Sequence, residues 1–195
     1  MYAGKELNRA RRESGLTLRK LAAFADTSSA AISQIETGKR GVSFERLQSL
    51  LNLSGYRLVS ISTNAKTPVE LSELINGALS SDDPLRALRA FVAYSKTLKL
   101  LDPGVRVALT LNKPESSGNS VYDAAIASLV QHWLSIDSLP IPNWVYEDSL
   151  ILPTPTILGE TFLESIPSKD QVPKAFAEHN VLFPAEALEE IGFLL

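Results

Sequence analysis

The sequence contains no cysteine, which excludes disulfide bonds, cysteine nucleophiles and thiolate zinc sites. It has two histidines, His132 and His179, and neither lies in an HExxH pattern, so we expect no metal site and no cofactor. No apolar run approaches the roughly 18 residues that a membrane span needs, and the polar N-terminus does not resemble a signal peptide. These absences predict a cytoplasmic protein without a membrane partner.

Prolines and charges are distributed unevenly along the chain. None of the 11 prolines precedes Pro68, and seven of them lie between Pro140 and Pro184. Residues 1–57 carry ten lysines and arginines and five acidic residues, a net charge of +5, while the remainder carries a net charge of −8. A basic N-terminal segment without proline, followed by an acidic remainder of the chain, is typical of a nucleic-acid-binding domain attached to a second domain.

The spacing of apolar residues predicts a mainly α protein. Glycine residues interrupt this spacing and divide the first part of the chain into four short helices. They are expected near 3–14, 18–25, 29–36 and 44–53. After Gly55, the alternating and β-branched segment Tyr56–Ser62 predicts a single strand, followed by a linker. Two Asp-Pro pairs, at 83–84 and 102–103, predict helix starts because Asp caps a helix and Pro suits its first position.

We therefore expect three segments. The first, residues 1–55, is a compact helical domain, and residues 56–67 form the strand and linker. Residues 68–195 form a mostly helical C-terminal domain with little β structure that binds a partner or a ligand.

Two stretches in the first segment have the spacing of a helix-turn-helix motif. Residues 16–22, LTLRKLA, and residues 28–40, SSAAISQIETGKR, resemble the motif of the phage Cro and repressor family, also called the XRE family. The resemblance covers about residues 3–55. It implies a lambda-repressor-like N-terminal domain and a double-stranded DNA operator as its partner.

In that family, exposed residues at the front of the second motif helix enter the major groove. By position, the base-reading residues are Ser29, Ala30, Ser33 and Gln34. Their small size favours A·T steps over a code in which arginine reads guanine. A second group is placed to contact phosphates. This group comprises Thr17, Arg19, Ser28, Lys39 and Arg40.

The sequence departs from the family pattern at two positions. Leu18 stands where glutamine is frequent, which removes a polar contact to DNA. Asp26 stands where glycine is frequent, and Asp tolerates the left-handed backbone that the turn requires. Arg11 and Glu36 match positions that pair beneath the recognition helix, so we expect a structural pair there.

One recognition helix offers few base contacts, which predicts a homodimer on a near-palindromic site. Either the strand over 56–62 or the acidic domain would supply its interface. A helical interaction module that has lost DNA binding remains the alternative for residues 1–55.

The second domain carries no GxSxG, GxxxxGK[ST] or GxGxxG motif, and Ser95 and Lys96 are adjacent on a helix rather than facing each other, so we expect no enzyme. The segments 140–147 and 172–188 look like an extension of bacterial XRE-type regulators that are suspected antitoxins of nucleotidyltransferase-like toxins. Four aromatic residues in them are candidates for a toxin-binding face. They are Trp144, Tyr146, Phe176 and Phe183.

The resulting hypothesis is a sequence-specific transcriptional regulator, an antitoxin that represses its own operon and neutralises a toxin through its C-terminal domain. Two alternatives stay open. In one, the second domain senses a small ligand, and in the other it is an enzyme joined to a DNA-binding module.

Overall fold

The computed structural model describes residues 2–163, 167–168 and 170–189, and the chain forms two compact units, Met1–Ser62 and Thr63–Leu195. Helices dominate both units, which confirms the predicted mainly α class. The first unit contains α1 (Tyr2–Glu13), α2 (Leu18–Phe24), α3 (Ser29–Glu36) and α4 (Phe44–Leu53). The second contains α5 (Pro68–Ser80), α6 (Pro84–Leu100), α7 (Pro103–Thr110), α8 (Ser120–Ile136) and α9 (Lys174–Glu178). Among the helices so described, none is both long and apolar enough to cross a bilayer.

Three of the four helices of the first unit begin where a hydroxyl side chain can satisfy free backbone amides. The side chains of Thr17, Ser28 and Ser43 each accept a hydrogen bond from the amide three residues later. These caps explain why α2, α3 and α4 start within one residue of the positions predicted from the sequence.

The four helices enclose one small apolar core. Its fully buried centre is formed by Leu7, Leu21, Ile32 and Leu50. Gly4 lies where α1 meets the end of α3, and a Cβ at this position would overlap the carbonyl oxygens of Ile35 and Glu36. Glycine is therefore required for the close approach of the two helices.

The strand predicted over residues 56–62 is not present. The amide of Tyr56 donates to the carbonyl of Leu51 at the end of α4, and the side chains of Tyr56 and Leu58 pack against the first core. A strand needs a neighbouring backbone to pair with. Within the described part of this unit no segment is paired with it, so the alternating pattern reflects the packing of two side chains.

The helix starts of the second unit follow the predicted signals. Asp83 and Asp102 cap α6 and α7, and proline occupies the first turn of both helices, as predicted. Thr67 and Glu70 form a capping box at the start of α5, each bonding the backbone amide of the other.

Helix α8 lies at the centre of the second core, with 11 of its 17 residues buried. Phe91 of α6 meets the rings of Tyr122, Phe176 and Phe183 edge-on, with centroids 5.8–6.4 Å apart. Two short parallel strands, β1 (Thr156–Ile157) and β2 (Val181–Leu182), pair with each other. They join the segment between α8 and α9 to this core. Short 3-10 helices complete the described fold, at Asn143–Tyr146, Asp148–Leu150, Glu160–Phe162 and Glu186–Leu188.

A buried arginine fixes the ends of two helices of the second unit. The Arg106 guanidinium donates to the carbonyls of Lys99 and Leu101 at 3.1 Å and to that of Trp133 at 2.8 Å. It also pairs with the carboxylate of Asp137 at 2.6 Å. These carbonyls belong to helix ends that lack an internal donor, so one side chain satisfies both α6 and α8.

Candidate nucleic-acid interface

Helix α3 buries one face and leaves the other for a partner. Its inner face, with Ile32 and Ile35, belongs to the first core. The four residues that the sequence assigns to base reading lie outside that face. Ala30 and Gln34 are exposed, and Ser29 and Ser33 are half-buried. Their side-chain polar atoms have no hydrogen-bond partner in the described structure, so they are available to an external donor or acceptor.

The turn that joins α2 to α3 is tight. Asp26 adopts a φ of 47°, in the left-handed region, which agrees with the expectation that Asp replaces the usual glycine here. Ser28 then caps α3, its Oγ lying 3.1 Å from the amide of Ala31, and Thr17 caps α2. A hydroxyl that accepts a bond in this way keeps its own hydrogen for a second acceptor.

The cations of the first unit fall into two groups. Arg9 pairs with two carboxylates of α1, and Arg11 pairs with Glu36. In contrast, no carboxylate lies within ion-pair distance of Arg19, Lys39 or Arg40 in the described part of this unit, and all three side chains are exposed. Positive charge without an ion-pair partner therefore lies on α2 and on the loop after α3, on either side of α3 along the chain. Arg12, Arg46 and Arg57 likewise have no carboxylate within ion-pair distance among the described residues.

The Arg11 and Glu36 side chains form a bidentate pair. The two contacts, Nε to Oε1 and Nη2 to Oε2, measure 2.7 and 2.8 Å, and the two side chains are only 11% and 4% exposed. The bonds to Glu36 raise the pKa of Arg11 against the opposing effect of burial. Arg11 also donates to the carbonyl of Leu16 at 2.9 Å, and Asn8 donates to the same carboxylate. This network joins the end of α3 to α1 and to the segment before α2.

Sequence reasoning missed Arg46, which lies in the first turn of α4. Its Nη2 atom donates to the carbonyl of Ala25, 2.8 Å away, at the end of α2. Arg46 therefore holds the turn between α2 and α3 from the side of α4. The sequence shows that Arg46 follows the helix cap Ser43 within one turn. It does not show which carbonyl the Arg46 side chain contacts.

The aromatic residues predicted to bind a partner are corrected by the structure. Phe176 and Phe183 are fully buried, and Trp144 is 7% exposed, with its indole nitrogen donating to the carbonyl of Thr110 at 3.0 Å. Aromatic rings bury large apolar areas, and here they form the second core rather than a docking face. Of the four, Tyr146 alone is exposed, at 53%.

A different set of apolar side chains is exposed near Tyr146. Leu111 follows α7 and is 46% exposed, and Ile151 is 43% exposed. The Trp144 bond to Thr110 and an ion pair between Lys113 and Glu147 hold the end of α7 against the segment that carries Tyr146.

Comparison with known protein families matched residues 3–57 to a helix-turn-helix domain. Comparison of the chain with curated proteins and with solved structures found no match. The match spans all four helices of the first unit, including the capped pair α2 and α3 and the cations around them. Residues 3–57 thus form a helix-turn-helix domain.

Proposed function

We propose that this protein is a transcriptional regulator that binds a DNA operator in a sequence-specific manner. The observation that carries the proposal is the outward face of α3, whose polar side chains have no partner in the described structure, in a unit whose uncompensated cations precede and follow it. A recognition helix needs this combination because base contacts specify the sequence while cations position the protein on phosphates.

In this proposal α3 enters the major groove. The Gln34 amide offers a donor and an acceptor to adenine, and the methyl group of Ala30 contacts thymine. The hydroxyls of Ser29 and Ser33 bond either type of base edge. The phosphate contacts come from Thr17, Arg19, Ser28, Lys39 and Arg40.

The operator would be read by two copies of the chain. Helix α3 has eight residues and is therefore about 12 Å long, enough for roughly four base pairs. A twofold dimer places two such helices about one turn of DNA apart and doubles the number of bases read.

Neutralising Lys39 and Arg40 together tests the phosphate contacts. We expect the Lys39→Gln and Arg40→Gln double variant to weaken binding to all sequences and to make the slope of log K against log salt less negative by about 1.8 per bound chain. The matched control is the Arg86→Gln and Arg89→Gln pair, which removes the same charge from an exposed face of α6. An unchanged affinity and slope would refute DNA binding through this loop.

Base reading is tested separately with Gln34→Ala. We expect a loss of preference at one base pair of each half-site, worth about 1–3 kcal/mol, in a selection from randomised duplexes. Gln48→Ala, at an exposed position of α4, is the control and should leave the preference unchanged. Equal loss of affinity for every sequence would show that Gln34 positions the protein without reading bases.

We further propose that the second unit binds a protein toxin and makes the chain an antitoxin that represses its own operon. The exposed side chains of Leu111, Tyr146 and Ile151 support this, because they lie on the two joined segments that also carry the charged pair Lys113 and Glu147, and protein interfaces combine apolar and charged groups. Full-length chains carrying Leu111→Ser and Tyr146→Ser should lose capture and neutralisation of a toxin encoded next to the gene. Leu74→Ser, at a comparably exposed apolar position of α5, is the control. Capture of no neighbouring gene product by the unaltered chain would refute this role.

A further inference from the structure

A cavity of about 300 Å³ lies in the first unit, beside the buried face of α3. Its polar lining side chains are the guanidinium groups of Arg40 and Arg46 and the hydroxyl groups of Thr27 and Ser43. The remaining lining residues are Ala31, Ile32, Ile35, Gly41 and Val42. Among the described residues, none that lines the cavity carries a carboxylate, so its polar lining is suited to a negative ligand.

The two arginines differ in how they are held. Arg46 is half-buried, and its Nη2 donates to the carbonyl of Ala25, while the other two nitrogen atoms of its guanidinium group have no partner in the described structure. An arginine fixed through one nitrogen presents the rest of its planar fork in a set orientation. Arg40 is exposed, and its guanidinium has no hydrogen-bond or ion-pair partner among the described residues.

The acidic residue of α4, Glu45, does not line the cavity. Glu45 is exposed, and bonds from its own backbone amide and from the Ser43 hydroxyl lower the pKa of its carboxyl group. Glu45 would compete with an external anion for the Ser43 hydroxyl.

We propose that this cavity is a binding site for a tetrahedral oxyanion of the phosphate class. Two guanidinium groups can donate several charge-assisted hydrogen bonds to such an anion, and the hydroxyls of Thr27 and Ser43 add neutral donors. The apolar wall of Ile32 and Ile35 limits water on one side, which strengthens these interactions. The phosphate comes either from free solution or from the DNA backbone, because both present the same oxygen atoms.

The site itself is tested without DNA, using inorganic phosphate and the full-length chain at constant ionic strength. We expect saturable shifts of the backbone amide resonances of Thr27, Gly41 and Ser43. Arg46→Gln should lower the phosphate affinity about tenfold, the effect of losing one charge-assisted hydrogen bond. Arg46→Lys should recover part of it. Arg12→Gln removes an exposed cation outside the cavity and should leave the affinity unchanged.

The absence of saturable shifts in the unaltered chain would overturn the proposal, as would equal phosphate affinity of a folded Arg46→Gln chain. Because Arg46 also supports the turn at Ala25, circular dichroism must show that the variant folds. Arg40→Gln gives a second test at an exposed side chain, and it should weaken phosphate binding as well.

A DNA titration then assigns the source of the anion. If a backbone phosphate occupies the cavity, inorganic phosphate competes with DNA and Arg46→Gln weakens binding to every sequence. If the ligand is a free anion, phosphate binds the DNA complex as tightly as the free chain. This second arm rests on the proposed DNA binding, whereas the first does not. A chain that binds phosphate but no DNA would therefore retain the site and lose the proposed function.

Discussion

Arg11 and Glu36 illustrate how a nearly buried charge pair can be both structural and costly to break. Their side chains are 11% and 4% exposed and share two hydrogen bonds. We expect Arg11→Ala to lower the free energy of unfolding of the first unit by about 1–3 kcal/mol, because Glu36 keeps its charge without its main partner. Urea denaturation of the variant chain measures this loss.

The pair can be separated from its surroundings by a double-mutant cycle with Glu36→Gln. The double variant should lose less stability than the two single variants together, since removing both charges leaves neither one unpaired. Strict additivity would mean that the two side chains do not stabilise each other.

Arg106 is the corresponding residue of the second unit, and its role depends on carbonyls rather than on a buried carboxylate. We expect Arg106→Gln to destabilise this unit by about 3 kcal/mol, because backbone carbonyls of α6 and α8 lose their donor. The measurement is chemical denaturation followed by tryptophan fluorescence. Arg89→Gln, at an exposed position of the same unit, should change stability by no more than about 0.5 kcal/mol.

Replacing a helical glycine by alanine should have opposite effects on stability at two positions, Gly77 and Gly4. Gly77→Ala in α5 should stabilise the chain by about 0.5–1 kcal/mol, because a Cβ there meets nothing within 4 Å and alanine favours helix. Gly4→Ala in α1 should destabilise it by about 1–3 kcal/mol, because the Cβ overlaps backbone atoms of α3. Thermal unfolding compares the two variants, and a stabilising effect of Gly4→Ala would show that α1 does not approach α3 so closely.

The elements themselves were largely predictable because their signals are local. Hydroxyl caps at Thr17 and Ser28 and the Asp-Pro pairs each act within one turn of helix. The segment 56–62 was predicted wrongly because a strand depends on a second backbone. Its alternation of side chains is equally compatible with an irregular segment that packs Tyr56 and Leu58 inward.

At the scale of the whole molecule, pH should act on the second unit through its two histidines. Burial lowers the pKa of both His132 and His179 from the ordinary value of 6.5, with smaller opposing effects of Glu189 on the first and of Leu150 and Glu178 on the second. The unfolded chain therefore takes up protons first as the pH falls. Stability should be full above about pH 7 and decrease below about pH 6.5.

Urea denaturation at about pH 7.5 and 5.5 checks this expectation, the change between them being the histidine contribution. His179→Gln should reduce the difference, because one of the two titrating rings is gone. An equal or higher stability at the lower pH would contradict it. Above about pH 5 the carboxylates contribute little to the change.

The number of chains that bind one operator is also a property of the whole molecule. We expect two chains per operator, because an eight-residue recognition helix reads too few base pairs alone. Light scattering of the free protein and of the complex with a near-palindromic duplex measures the mass. One chain per duplex, with full affinity, would contradict the twofold arrangement.

The candidate site was accessible from the sequence only in part. The motif spacing and the cations Arg19, Lys39 and Arg40 can be found without a structure, since the helix-turn-helix pattern is a local one. Arg46 and its cavity were missed, because its carbonyl partner at Ala25 is 21 residues away along the chain.

The helical class, the helix starts and the helix-turn-helix domain follow from the amino-acid sequence, because they depend on neighbours within a few residues. The burial of individual apolar residues follows from the packing of distant segments. Phe91 meets Phe176 and Phe183 across more than 80 residues of chain, so these two of the four aromatic residues predicted to bind a partner belong to the core. Burial depends on which distant segments pack together, and local patterns do not contain that information.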